Sequence, residues 1–186
     1  MWIFGGNRRR QFEQMTRPLL KPLYQTALRL TRQTEWAEDL TQDTLIRAYE
    51  RFHLFTPGTN FRAWLFTILT HIYLNDCERA RRRPSLVSLH NSGDSAEEWD
   101  FPSQSLLDDP QAALLTNLLP EHLQEALDAL PEEFRITVIL VDIEDMNYQE
   151  VATALGVPVG TVRSRLSRGR GILRKLLSKI VSLMLV

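Results

Sequence analysis

Arg163, Ser164, Ser167 and Arg168 fall within GVPVGTVRSRLSRGRG, residues 156–171, a stretch that holds four arginines and no acid. On a helix these four residues share one stripe, while Val162, Leu166 and Leu173 face the other way. Such a helix fits the major groove of duplex DNA, where an arginine fork pairs with guanine O6 and N7. Each good pair is worth about 1–3 kcal/mol of discrimination against the wrong base. Arg170, Arg174 and Lys175 continue the basic run and suit phosphate oxygens. The competing reading is a basic amphipathic hairpin packed on an acidic partner.

The elements that must hold this stripe lie just upstream. In MNYQEVATALGV, Asn147 is an expected N-cap, and Glu150, three residues later, completes a capping box. Val151, Ala152 and Leu155 give the short helix 147–155 an inner side. Gly156 follows where a left-handed residue ends a helix without a Cβ penalty. A second helix then starts near Pro158 to Thr161, where the missing proline N–H is no loss. Short helix, glycine turn and basic helix make a helix-turn-helix.

A second constellation lies nearer the start. In WAEDLTQDTLIRAYERF, Trp36, Ala37, Leu40, Leu45 and Ala48 mark an inward surface, while Asp39, Gln42, Asp43 and Glu50 gather opposite, around Ile46. An exposed aliphatic ringed by acids suits contact with another protein; a plain surface residue is the equal alternative. In the next helix, NFRAWLFTILTHIYLNDCERARRR, the stripe of Phe61, Trp64, Leu65, Ile68 and Ile72 continues as Asn75, Arg79 and Arg82. Preceded by the turn residues Pro57 and Gly58, and flanked by Arg81 and Arg83, this combination suits unstacked single-stranded bases. Taken singly, its aromatics more often belong to a core.

Helical periodicity runs through the whole chain, and no alternating stretch demands a strand, so the fold class is all-α. Helices are expected over about 11–32, 35–53, 60–82, 110–129, 131–145, 147–155 and 159–180. Between the third and fourth, a Ser-, Asp-, Glu- and Pro-rich segment reads as a flexible acidic linker joining two helical domains. The 186 residues carry a net charge of only −1, yet residues 1–83 hold +6, residues 84–150 hold −14 and residues 151–186 hold +7. Basic ends flanking an acidic centre suit two separate contacts with a polyanion, with solvated helix faces as the alternative.

Other classes are disfavoured. The single Cys77 cannot form an internal disulfide and fits a reducing compartment. The histidines at 53, 71, 90 and 122 lack metal-ligand spacing, and no phosphate-binding or nucleophile-elbow motif occurs, so neither metal, cofactor nor catalysis is expected. The start, MWIFGGNRRRQF, lacks an apolar core of signal-peptide length, so no export signal is expected, and the tail ILRKLLSKIVSLMLV, interrupted by Arg174, Lys175 and Lys179, reads as the end of an amphipathic helix rather than a membrane or partner anchor.

Together the two halves resemble bacterial RNA polymerase sigma factors of the extracytoplasmic-function type, group 4 of the sigma-70 superfamily. The resemblance covers about residues 11–83 and 120–177, through AEDLTQDTLIRAYERF, NFRAWLFTIL and LPEEFRITVILVDIEDMNYQEVATALGVPVGTVRSRLSRGR. It implies an N-terminal tail over 1–10, a region 2-like domain over 11–83, an acidic linker over 84–119 and a region 4-like, winged-helix-like domain over 120–186. The implied function is non-enzymatic: binding core polymerase, directing it to promoters and assisting their melting, in a stress response.

By this resemblance Asp39, Gln42, Asp43, Ile46 and Arg47 would bind the β′ clamp helices, and the second domain would meet the β flap. Thr56 and Asn60 in the loop 53–60, with His71, Asn75, Arg79 and Arg82, would engage the single-stranded minus-ten element. Thr161, Arg163, Ser164, Ser167 and Arg168 would read the duplex minus-thirty-five element. Carboxylates from Asp94 to Asp109 would imitate nucleic acid near the polymerase cleft, or merely solubilise the linker. An anti-sigma protein is a further implied partner, and the location is the bacterial cytoplasm, on the nucleoid when active or held at the membrane by that partner, without membrane insertion.

The chain departs from the family pattern at Thr67, where arginine is common, at His71, where asparagine is common, and at Gly169, usually alanine. The first two put minus-ten specificity in doubt. Gly169 and Gly171 each cost about 1 kcal/mol of helix propensity, so fraying or bending is expected past Arg168. The alternative function is a free-standing helix-turn-helix regulator that binds duplex DNA without polymerase.

Overall fold

The computed structural model describes residues 4–82 and 121–184, with side chains described for 8–82 and 122–179. The acidic segment with Asp94 to Asp109, Arg83 and the beginning of the helix expected over 110–129 lie outside the described residues. All regular elements among the described residues are helical. No strand occurs there, so the expected winged-helix-like form has no wing in this part of the chain.

The first unit comprises α1 (Phe4–Thr16), α2 (Leu20–Thr31), α3 (Thr34–Glu50) and α4 (Phe61–Arg82). The single helix expected over 11–32 is interrupted by a 3-10 turn, Arg17–Leu19, with Pro18 in its first positions. Proline has no N–H to continue the α ladder and its ring crowds the preceding turn. Arg32 then closes α2 in the left-handed region at φ 63°.

Leu23, Ala27 and Leu30 of α2, Ala37, Leu40, Leu45 and Ala48 of α3, and Leu65, Phe66, Leu69 and Ile72 of α4 are all buried, as their helical spacing requires. At one end six aromatics interlock: Phe12 meets the rings of Tyr49, Phe52 and Phe61 edge-on at 5.2–6.2 Å, and Phe55 and Trp64 close the cluster. Edge-to-face pairs of this kind add about 0.5–1.5 kcal/mol beyond area burial.

The second unit comprises α5 (Glu121–Asp128), α6 (Glu132–Val138), α7 (Tyr148–Leu155) and α8 (Val159–Met184). The helix expected over 131–145 widens after α6 into a π turn, Ile139–Ile143, closed by the Glu144 N–H donating to Ile139 O at 3.0 Å. Asp145, left-handed at φ 53°, then brings the Met146 N–H to Leu140 O at 3.0 Å.

Helix α8 runs without interruption through Gly169 and Gly171, contrary to the expected fraying. Gly169 is buried, and a Cβ placed there would lie 2.9 Å from Val138 Cγ2 and 3.4 Å from Phe134 Cβ. The glycine allows α8 to approach α6 closely, and this packing offsets its propensity cost.

The two units pack on one another. A continuous buried cluster joins first-unit residues such as Leu69 and Ile72 to Ile136, Ile139, Met146 and Val151 of the second. Helices α4 and α7 form much of this contact.

Candidate nucleic-acid interface

The helix-turn-helix is built as its sequence requires. The Asn147 side chain accepts from the N–H groups of Gln149 and Glu150, each at 3.0 Å, while Glu150 Oε2 accepts from the Asn147 N–H at 2.9 Å. This satisfies three donors at a helix start that would otherwise lack partners. Gly156 ends α7 at φ 62°, and the Thr161 and Val162 N–H groups bond to Pro158 O at 2.9 and 3.2 Å. Val162 and Leu166 are buried, which turns Arg163, Ser164, Ser167 and Arg168 outward into solvent. Thr161 is half-buried at the start of the same helix.

The four arginines of this segment divide into two pairs. Arg165 is bound to Glu133 at 2.9 Å, and Arg170 grips Asp142 through both Nε, at 3.1 Å, and a terminal nitrogen, at 2.5 Å. That pairing holds Arg170 against the second unit's own surface and raises its pKa further. Arg163 and Arg168 have no carboxylate within ion-pair distance among the described residues. The Arg163 guanidinium lies 5.9 Å from the ring centre of Tyr148, an exposed aromatic at the start of α7. Tyr148 carries no signal in the sequence spacing, because its place beside Arg163 of α8 depends on how the two helices pack.

On α3, Asp39 and Gln42 are exposed, while Asp43 and Arg47 are partly covered. Ile46, expected to be exposed, is half-buried. The structure therefore gathers an acidic face with a recessed aliphatic, and Glu50 lies exposed at its end.

The loop before α4 is a compact turn. The Thr59 hydroxyl donates to Thr56 O at 2.7 Å, and Gly58 has φ 88°. Asn60 Oδ1 caps α4 by accepting from the Ala63 N–H at 3.2 Å, while its Nδ2 donates to Glu150 Oε1 of the second unit at 2.8 Å. The amide expected to meet a base is thus occupied at both ends in this arrangement. Phe61 and Trp64 belong to the aromatic core cluster, not to a solvent-facing platform. Leu54, which sequence reasoning passed over, is 64% exposed at the loop's edge.

Further along α4, His71, Asn75, Arg79 and Arg82 are exposed. Arg79 lies 3.7 Å from Asp76 and Arg82 2.9 Å from Glu78 within the helix, while Arg81 reaches across to Glu132. Thr67 is half-buried and its hydroxyl donates to Ala63 O at 2.8 Å, so it is folded back onto its own helix. Cys77 is half-buried near Tyr73 and Glu132, and burial pushes its thiol up to about 11, away from the reactive thiolate.

A buried polar contact joins the units. Glu144, only 2% exposed, accepts from the Thr26 hydroxyl and from Arg62, with Arg29 at 3.5 Å. Burial pushes the Glu144 carboxyl up, against the opposing pull of Thr26, Arg62 and Arg29. Burial likewise lowers the pKa of Arg29, which Glu144 counters.

The chain matches two family models, Sigma-70 region 2 over residues 15–83 and Sigma-70 region 4 over residues 121–173. It is 39% identical over 168 residues to the ECF RNA polymerase sigma factor SigE of Mycolicibacterium smegmatis, covering 90% of this chain and 62% of that protein. It is 34% identical to the ECF RNA polymerase sigma factor EcfG of Rhodopseudomonas palustris, covering 81% of this chain and 76% of the other. The solved structure of the sigma factor RpoE from Bartonella quintana, in complex with the anti-sigma factor NepR, superimposes with a TM-score of 0.65 at 28% identity, covering 90% of this chain and 97% of that one. Matches at both ends, in this order, set aside the free-standing regulator. The acidic face on α3, the loop before α4 and the outward arginines of α8 are thus carried by a chain that belongs to the ECF sigma factors of the sigma-70 family, a family of transcription initiation factors.

Proposed function

We propose that this chain binds core RNA polymerase mainly through Asp39, Gln42, Asp43, Ile46 and Arg47 on α3, and through contact of its second domain with the β flap. It carries the enzyme to promoters read at two places. Arg163 and Arg168, with Thr161, Ser164 and Ser167, contact the duplex minus-thirty-five element. Thr56, Asn60, His71, Asn75, Arg79 and Arg82 engage the opened minus-ten strand. The working domains are residues 11–83 and 120–186, separated by the acidic segment 84–119. No bond is made or broken by the chain itself.

What carries this reading is the division of the α8 arginines: two are tied to carboxylates of their own unit, and two point outward from a capped helix-turn-helix. Likeness to a sigma factor solved with an anti-sigma factor supports a regulator of that kind as a partner. Among the described residues no helix is long and apolar enough to cross a membrane, and the reading places the chain on the nucleoid when active and with its inhibitor when not.

The test is a purified transcription reaction with core polymerase and a randomised promoter library. Transcripts from templates sharing two spaced elements are expected. Failure to associate with core polymerase in the absence of any inhibitor would overturn the proposal.

A further inference from the structure

In the first unit, the Thr26 hydroxyl and the guanidinium groups of Arg29 and Arg62 converge on one carboxylate, Thr26 and Arg29 at one oxygen and Arg62 at the other. Thr26 is fully buried and the Arg29 side chain is 11% exposed, so two of the three groups are set in place by packing. Within the first unit the Arg62 guanidinium lies 4.9 Å from the ring centre of Phe66, while its Nε donates to Glu144 O of the second unit at 3.3 Å. Two forked cations and a hydroxyl bracketing a pair of oxygens make a receptor for a tetrahedral or planar oxyanion. In the closed chain the oxyanion is the Glu144 carboxylate, delivered from the other unit.

Three further facts bear on whether this occupant is exchangeable. Residues 29 and 62 belong to the first unit and 144 to the second, so the site is divided by the same surface along which the units meet. Asn60, two residues before Arg62, donates across that surface to Glu150 while staying exposed, so its amide and the pocket are both tied to the second unit. Burial of the carboxylate and of Arg29 opposes their charged forms, and a buried ion pair contributes little net stability against its desolvation. A solvated anion reached by opening the units can compete with such a pair.

We propose that Thr26, Arg29 and Arg62 form a phosphate-binding pocket for the promoter DNA backbone, and that Glu144 fills it as an internal phosphate substitute until the two units separate. The pocket lies two residues from Asn60, so one opening event frees both a backbone anchor and the Asn60 amide. This rests on the sigma-factor reading above.

The test is binding of the full chain to a labelled single-stranded DNA of mixed sequence, followed by fluorescence anisotropy over a range of salt. Glu144→Ala vacates the pocket and is expected to tighten binding about tenfold and to steepen the log–log salt slope by about 0.7 for each arginine released to a phosphate. Adding Arg62→Gln should return the slope by about 0.7. On a strand with an uncharged methylphosphonate backbone the gain should vanish. Circular dichroism checks the fold; if Glu144→Ala does not fold, Glu144→Asp, which keeps the charge but shortens its reach, should change binding in the same direction.

Wild-type affinity and slope in a folded Glu144 variant would overturn the pocket, as would a gain that survives on the uncharged strand. Transcription by the wild-type chain with core polymerase is measured in parallel. Loss of that activity sinks the sigma-factor reading, whereas unchanged DNA binding by Glu144 variants of transcription-competent protein sinks only the pocket.

Discussion

On α8, Arg163 and Arg168 meet solvent without a carboxylate partner among the described residues, whereas in the first unit Asn60 and Arg62 are each held by a glutamate of the second. Under the proposed roles, the outward arginines of α8 are free of the other unit, whereas in the minus-ten set Asn60 is tied to it and Thr56, His71, Asn75, Arg79 and Arg82 stay exposed in the same conformation. The contrast follows from where each side chain sits. Arg163 and Arg168 lie opposite Val162 and Leu166, which anchor the helix, while the loop before α4 lies against α7, whose own cap supplies Glu150. On the proposed reading, duplex contact needs no rearrangement, and only the Asn60 amide and the Arg62 guanidinium must be released by the second unit before they can meet a strand. The acidic face of α3 belongs with the open class.

This comparison can be broken experimentally. The largest effect is expected from reversing charge at the open acidic face: Asp39→Lys with Asp43→Lys should abolish co-purification with core polymerase, because like charges across an interface cost several kcal/mol. Sequence preference for duplex DNA, read by selection from a random pool, should remain as in the wild type. Loss of both would remove the distinction between the two open surfaces.

Next in size, Arg163→Ala or Arg168→Ala should each cost about 1–3 kcal/mol of base discrimination, seen as relaxed choice at one promoter position. Arg165→Ala and Arg170→Ala, whose partners are Glu133 and Asp142, should leave that choice intact. Equal relaxation from all four would show that the ion pairs do not separate the arginines by role.

Gly169→Ala tests the seat of α8 on α6. Alanine gains about 1 kcal/mol of helix propensity, but its Cβ meets Val138 Cγ2 at 2.9 Å, and overpacking typically costs about 1–3 kcal/mol. A net fall in urea midpoint is expected; a rise would mean that α6 yields readily. The smallest effect is Asn147→Ala, which should lower stability by about 1 kcal/mol through loss of the cap, measured by thermal unfolding.

The parts of the site legible in the sequence were those encoded within a few residues. Asn147 and Glu150 are three apart, Gly156 sits at the end of its own helix, and Val162 with Leu166 defines a face by spacing alone. Contacts between distant residues were not legible. Thr26 and Glu144 are 118 positions apart, and neither residue type signals burial or pairing. Gly169 was misjudged because propensity measures the isolated helix and is blind to Val138. The break at Pro18 was written in the sequence but outweighed by the apolar periodicity on either side of it. Ile46 carried the right pattern for an outward position, but its half-buried setting depends on neighbours that periodicity does not specify.

The π turn at Ile139–Ile143 has a mechanical consequence. Because each residue advances an α-helix by about 100°, the extra residue in this wide turn fixes the azimuth at which everything after it leaves α6. Deleting one residue there would swing Glu144 roughly a quarter-turn around the axis and away from α2, and would re-aim α7 with it. The angular setting of one unit against the other is thus stored in the hydrogen-bond count of a single backbone turn, independent of which side chains it bears.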